Sequence, residues 1–205
     1  MSEITSIEPQ IKDKSRCNIY VDGRFYCGVK FEVAVRYRLK AGMQIEKSQL
    51  DEIQLETEKS QALDKAMTHL SAAMKTEKQM RDFLAGKGYV EAVRDYVLER
   101  LKYYKFIDDY AYCRAYADSV HGKGKRAIEL DLIKRGADRT AIDSVLSETE
   151  DDAAEALNLL KKYMKGKEND EKTFYKAFRY LLSKGFETDT AKAALAELGE
   201  TDEDN

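Results

Sequence analysis

The chain has a single proline in 205 residues, Pro9, so nothing after residue 9 forbids helix. Its two histidines, His69 and His121, stand far apart, which leaves no basis for a histidine metal site or a Ser-His triad. The three cysteines, Cys17, Cys27 and Cys113, are odd in number and lack CxxC spacing, so free thiols in a reducing cytoplasm are expected. No run approaches the roughly 20 apolar residues of a membrane span. The opening MSEITSIEPQ has no basic or apolar region and does not read as a secretory signal. Phosphate loops are missing too. Gly-Lys at 86, 122, 124 and 166 is followed by Gly88, Gly124, Arg126 and Glu168, never Ser or Thr, and the glycine five residues earlier is absent. The Gly-x-Gly pairs at 86–88 and 122–124 do not extend to GxGxxG, because Glu91 and Ala127 occupy the last place. No catalytic centre, cofactor or metal is therefore expected.

What the chain does have is 43% apolar and 36% charged residues, which fits helices with narrow buried faces. The net charge of −3 is unevenly spread. Residues 75–139 hold 15 Lys/Arg against 11 Asp/Glu, a net of +4. Asp143, Glu148, Glu150, Asp151, Asp152 and Glu155 follow without a base, and Glu200, Asp202, Glu203 and Asp204 close the chain. A basic middle and an acidic end suit a polar partner surface better than a membrane.

Residues 17–29, CNIYVDGRFYCGV, carry the one clear β signal, two runs flanking Asp22-Gly23, a dipeptide suited to a type I′ turn. A two-residue turn pairs Tyr20 with Phe25, Ile19 with Tyr26 and Asn18 with Cys27, and puts Cys17 opposite Gly28, on the other side from Cys27. Helical spacing starts at Phe31 with Val33, Ala34, Tyr37 and Leu39 and ends at Lys40-Ala41-Gly42. Ser48 is then the expected N-cap of a short acidic connector holding Leu50 and Ile53.

The rest of the chain repeats. MRDFLAGKGYVEAVRDYVLERL from Met80, IELDLIKRGADRTAIDSVLSET from Ile128 and AFRYLLSKGFETDTAKAALAEL from Ala177 align with Gly88, Gly136 and Gly185 in register, 48 and 49 residues apart. Leu84, Leu132 and Leu181 lie four before each glycine, and Leu98, Leu146 and Leu195 ten after. Upstream helices are expected at 62–74, 109–120 and 153–164, so each period holds three helices. The expected fold is mainly α: three tandem three-helix repeats in an elongated curved array behind a small β-hairpin and helix. The boundaries are 1–58 for the hairpin, helix and acidic connector, 59–107, 108–150 and 151–199 for the repeats, and 200–205 for an acidic tail. Thr76 and Gln79 have capping-box spacing, and Gly136 stands where a left-handed cap belongs.

Two groups stand out within Phe106–Gly136, a helix, a basic glycine link and a second helix whose apolar side is Ala127, Ile128, Leu130, Leu132 and Ile133. The cations Arg114, Lys123, Lys125, Arg126, Lys134, Arg135 and Arg139 read either as a solvated surface with dipole complements or as a docking face. The aromatics Tyr103, Tyr104, Phe106, Tyr110, Tyr112 and Tyr116 read as packing between the first and second repeats.

The string FIDDYAYCRAY, from Phe106, resembles the aromatic-Leu/Ile-Asp-Asp…Phe-Ala…Tyr segment of the RecX family, bacterial regulators of the RecA recombinase. GKGKRAIELDLIKRG, from Gly122, is similar to that family's next segment, and the Asp22-Gly23 hairpin looks like its N-terminal portion. The departures are Cys113 for alanine, Asp131 for glutamate, Ala127 for a basic residue, Lys125 for proline, and Thr76 and Phe83 for serine and glutamate. The resemblance implies a non-catalytic cytoplasmic protein that binds the helical groove of the RecA–DNA filament and lowers its ATPase, strand-exchange and coprotease activities. The expected partner-binding residues are Arg114, Lys123, Lys125, Arg126, Lys134 and Arg135, on a monomer. The alternatives are a module that binds DNA directly, or a helical scaffold for another partner.

Overall fold

The computed structural model describes residues 1–205 except 12, 150, 151, 169, 204 and 205. Two compact units appear: Met1–Ala73 with Met80–Phe106, and Met74–Gln79 with Ile107–Asn205.

The first unit opens with a sheet of four antiparallel strands, β1 (Ser2–Pro9), β2 (Arg16–Val21), β3 (Arg24–Lys30) and β4 (Gln44–Ile45), ordered β3-β2-β1-β4. The expected hairpin is present, with Asp22 at φ 49° and Gly23 at φ 76° forming its turn. Its register differs. Tyr20 faces Phe25, but a bulge then sets Ile19 against Cys27 and Cys17 against Val29. Directly paired residues share a sheet face, so Cys27 lies on the same side as Ile19 and Cys17, not on the opposite one. Burial pushes the Cys27 thiol up to about 11. Strand β1 was not expected, because Ile4 and Ile7 are three apart and break strict alternation. A register shift between Ile4 and Ser6 resolves this, and both isoleucines meet the same core. Pro9 ends β1 beyond the stretch that pairs with β4, where a missing donor is tolerated.

Helix α1 (Phe31–Arg36) is shorter than the spacing predicts, because Tyr37 already leaves helical geometry and Arg38 turns to φ 51°. Helix α2 (Lys47–Leu70) starts ahead of Ser48, with Glu46 as N-cap donating its N–H to Gln49 Oε1 at 3.2 Å. It also absorbs the expected acidic connector: its 24 residues run unbroken into the first helix of the first repeat. Leu50 and Ile53 close the sheet core, while Ala62 and Ala66 are buried further along. Helix α3 (Glu77–Gly86), from Met80 on, and α4 (Glu91–Tyr103) complete the unit, burying Met80, Leu84, Val93, Val97, Leu98 and Leu101. His69 stacks on Phe83 at 4.0 Å, and Arg81 pairs with Asp95 at 2.6 Å.

The second unit holds α5 (Asp109–Ser119), α6 (Lys125–Lys134) and α7 (Arg139–Glu148) around Tyr112, Cys113, Ile128, Leu132, Ile142 and Val145. Helices α8 (Ala153–Met164), α9 (Glu171–Ser183) and α10 (Thr188–Glu203) surround Leu160, Leu181, Phe186 and Ala194. The expected acidic tail is helical through Glu203, and Asp204 lies outside the described residues, as do Glu150 and Asp151 of the acidic run.

The repeated glycines share one geometry. Gly88, Gly136 and Gly185 have φ of 85°, 73° and 86°, a conformation that costs any residue with a Cβ. The N–H one residue later returns to the carbonyl of Leu84, Leu132 or Leu181 at 3.3, 3.1 and 3.3 Å, the six-to-one bond of a Schellman turn. All three leucines are fully buried, so the repeated offset marks one helix end bonded and packed in the same way.

Two of these turns also seat another helix start. The Thr76 hydroxyl donates to the Arg135 carbonyl at 3.0 Å, and 48 residues on the Gly124 N–H donates to the Lys184 carbonyl at 3.0 Å. Glu77 N–H donates to Asp109 Oδ1 at 2.8 Å, and Lys125 N–H to Asp152 Oδ2 at 3.0 Å. A Cβ on Gly136 would meet Lys78 Cδ at 2.3 Å, and one on Gly185 would meet Ala127 Cβ at 2.4 Å, whereas one on Gly88 meets nothing within 4 Å. Gly88→Ala should therefore cost about 1–2 kcal/mol for its backbone conformation alone. Gly185→Ala should cost about 1–3 kcal/mol more through overpacking. Urea unfolding of the two variants measures the difference.

Candidate functional site

The basic link between α5 and α6 is held at every turn. Gly122 N–H donates to Glu155 Oε1 at 2.6 Å, and the N–H groups of Gly124, Lys125 and Arg126 go to Lys184 O, Asp152 Oδ2 and Gly185 O. A Cβ on Gly124 would lie 2.4 Å from the Gly185 carbonyl oxygen. With the N–H groups of Gly122, Gly124, Lys125 and Arg126 engaged, the link is a packed joint, not the flexed anion nest that its glycines suggest.

The predicted cations sort into two sets. Lys123 Nζ lies 2.5 Å from Asp131 Oδ2, which also accepts the Tyr116 hydroxyl at 2.8 Å. These bonds hold the Asp131 carboxyl below its usual range and raise Lys123. Arg135 donates to the Tyr112 hydroxyl at 3.2 Å and lies 4.6 Å over the Tyr116 ring. Lys125 Nζ donates to the Thr149 carbonyl at 2.8 Å. Arg114 is 3.5 Å from Asp118 and 3.6 Å from Glu148, which also accepts the Tyr110 hydroxyl at 2.5 Å. Arg139 pairs with Glu129 at 2.7 Å and Asp143 at 3.1 Å. Arg126 and Lys134 differ: both are exposed, and among the described residues neither side chain meets a carboxylate, a carbonyl, a hydroxyl or a ring.

The first unit supplies a second exposed group. Tyr103, Tyr104 and Phe106 are 78, 53 and 51% exposed, with Arg100 5.1 Å over the Tyr104 ring. Of the six aromatics only Tyr112 is buried, while Tyr116 is partly buried against the same core. Leu63, Met67, Arg100, Leu101, Tyr104 and Phe106 line an apolar cleft of about 200 Å³ here.

The apolar side of α6 is also divided. Ile128 and Leu132 are buried, but Leu130 and Ile133 are 60 and 45% exposed. At about 100° per residue, Leu130 and Ile133 point away from Ile128 and Leu132, and five apolar residues exceed what one face of α6 can bury. Sequence reasoning treated them as one face; projecting each onto the helix separates them. The Asp108-Asp109 pair stands where carboxylates can accept free N–H groups at a helix start, and Asp109 does so for distant segments: its Oδ2 accepts Asp138 N–H at 2.8 Å while Oδ1 takes Glu77 N–H. Its neighbour Asp108 caps α5 through Ala111 N–H at 3.1 Å. The two carboxylates of the Asp-Asp pair are thus helix-start acceptors. Cys113 is buried, its thiol pushed up to about 11 by desolvation, and stays protonated at neutral pH.

Asp138 is likewise lowered, by the Thr140 hydroxyl and the N–H groups of α7. A carboxylate lowered in the folded state contributes stability that is full above the unfolded value of 3.8 and lost as pH falls through the folded value. Asp131→Asn should flatten the acid limb of the stability–pH curve, read from urea midpoints between about pH 2 and pH 4.

A small sheet domain followed by tandem three-helix repeats defines a helical-repeat protein that presents surfaces. Family models match three stretches: the regulatory protein RecX N-terminal domain at 2–46, the first RecX three-helix domain at 62–101 and the third at 150–195. The chain is 34% identical to the regulatory protein RecX of Clostridium perfringens strain 13, over 97% of both chains. It is 32% identical to that of Listeria monocytogenes EGD-e, covering 95% of this chain and 75% of the relative. A crystal structure of regulatory protein RecX matches with a TM-score of 0.76 at 27% identity, covering 94% of this chain and 98% of the other. The chain belongs to the RecX family of regulatory proteins.

Proposed function

We propose that this regulatory protein binds the RecA recombinase filament on DNA, in its helical groove, and lowers its ATPase, strand-exchange and coprotease activities without chemistry of its own. Family membership along nearly the whole chain carries the reading. The lowered carboxyls of Asp131 and Asp138 are accounted for by an ion pair and a helix cap, so neither calls for a catalytic role. The reading places the protein in the cytoplasm as a monomer, and takes 1–58, 59–107, 108–150, 151–199 and 200–205 as its domains. It assigns Arg114, Lys123, Lys125, Arg126, Lys134 and Arg135 to the partner-facing side, with Arg126 and Lys134 the two of these whose side chains make no described hydrogen bond, ion pair or ring contact.

The exposed Tyr103, Tyr104 and Phe106 beside Arg100 favour a second reading, direct binding of single-stranded DNA by base stacking. The two separate experimentally. Substoichiometric protein should lower RecA ATPase on single-stranded DNA, and an unchanged rate refutes the first reading. Under the second, an oligothymidylate should bind without RecA at low salt, and Tyr103→Ala with Tyr104→Ala should weaken it at least about tenfold.

A further inference from the structure

The exposed side of α6 is the surface that the fold itself leaves unexplained. Arg126, Leu130, Ile133 and Lys134 fall within an arc of about 100° on that helix, opposite the buried Ile128 and Leu132. Leu182 of α9, 38% exposed, extends the apolar strip. Arg126, Ala127, Leu130 and Leu182 line one cleft of about 540 Å³ that runs to Phe186 in the α9–α10 turn. The helix that carries the face is fixed at its start by the bonds of Gly124, Lys125 and Arg126, so the surface is ordered before anything binds.

We propose that this face docks a segment of the partner protein in which apolar side chains are flanked by carboxylates; the proposal rests on the RecA-binding reading. Leu130 and Ile133 supply the apolar centre, and Arg126 and Lys134 bracket it with cations that no described carboxylate neutralises. Charge complementarity therefore calls for acidic residues on either side of the partner's apolar pair. A phosphodiester backbone would use the two cations but gain nothing from Leu130, Ile133 and Leu182, which argues for protein over nucleic acid. Glu187 and Asp189 also line the cleft, and Asp189 lies in the first turn of α10, where it complements that helix's own positive end.

The test compares RecA ATPase inhibition by the wild-type chain with that by Leu130→Glu, Leu130→Ala and Arg126→Glu/Lys134→Glu. Melting temperatures confirm folding, and the alanine variant covers a glutamate chain that fails to fold. Leu130→Glu should raise the half-inhibitory concentration at least about tenfold and Leu130→Ala about threefold or more. The double charge reversal should raise it about fivefold or more and reduce its dependence on salt. A folded Leu130→Glu, or an alanine variant in its place, that inhibits like wild type overturns this docking face and leaves the RecA reading standing. A wild-type chain that leaves the ATPase unchanged overturns both. A wild-type dimer that Leu130→Glu converts to monomer in sedimentation reassigns the face to a second copy and overturns the proposal.

Discussion

The seat of α6 on the glycine turn after α9 constrains everything built in the second unit. Backbone meets backbone there, with Gly124 and Gly185 each lacking the Cβ that would collide with the other segment. At that distance a helix start can give its N–H groups to the carbonyls of the turn, and the remaining donor goes to Asp152. The same arrangement serves Thr76, Glu77 and Lys78 against Arg135, Gly136 and Asp109. A joint made of satisfied backbone groups tolerates little sliding, because each shift leaves a polar group unpaired in a packed place.

That rigidity decides what the charges do. A basic link with three lysines or arginines in five residues looks, in one dimension, like an exposed cation cluster. In three dimensions Lys123 meets Asp131, Lys125 caps the end of α7, and Arg135 lies on Tyr116. Exposed pairs of this sort add modestly to stability, yet they fix side chains that would otherwise reach outward. The charge left over sits at Arg126 and Lys134, on the side of α6 that also shows Leu130 and Ile133.

Helix identity and the repeated glycine offset were legible in the sequence, because both reflect local physics: 3.6-residue periodicity and a turn that only glycine enters cheaply. The Thr76–Gln79 capping box was legible for the same reason and forms reciprocally, at 3.2 and 3.1 Å. What escaped depends on neighbours distant in sequence. Bulges in β1 and β3 reset the strand phase and put Cys17 and Cys27 on one face. Strand β1, with two isoleucines and a proline, becomes a strand because β2 pairs along it. Of the predicted site, the cations were found by composition. Sorting engaged cations from unengaged ones required the positions of Asp131, Thr149 and Tyr116, and the double-sided character of α6 required its core partners.

Helix α2 joins the sheet core at Leu50 and Ile53 to the buried Ala62 and Ala66 through 24 residues without a break. A helix that long spans about 36 Å, and two threonine hydroxyls bond back along it, Thr57 to the Ile53 carbonyl at 2.8 Å and Thr68 to the Asp64 carbonyl at 2.9 Å. Melting the sheet end shortens the same helix and removes the packing of Leu50 and Ile53, and a shorter helix holds Ala62 and Ala66 less firmly, so the two ends open together. The sheet and the helices behind it therefore belong to one foldon: amide protons of β2 and of α4 should share a common opening event in native-state exchange, and a protease has no linker between them to cut.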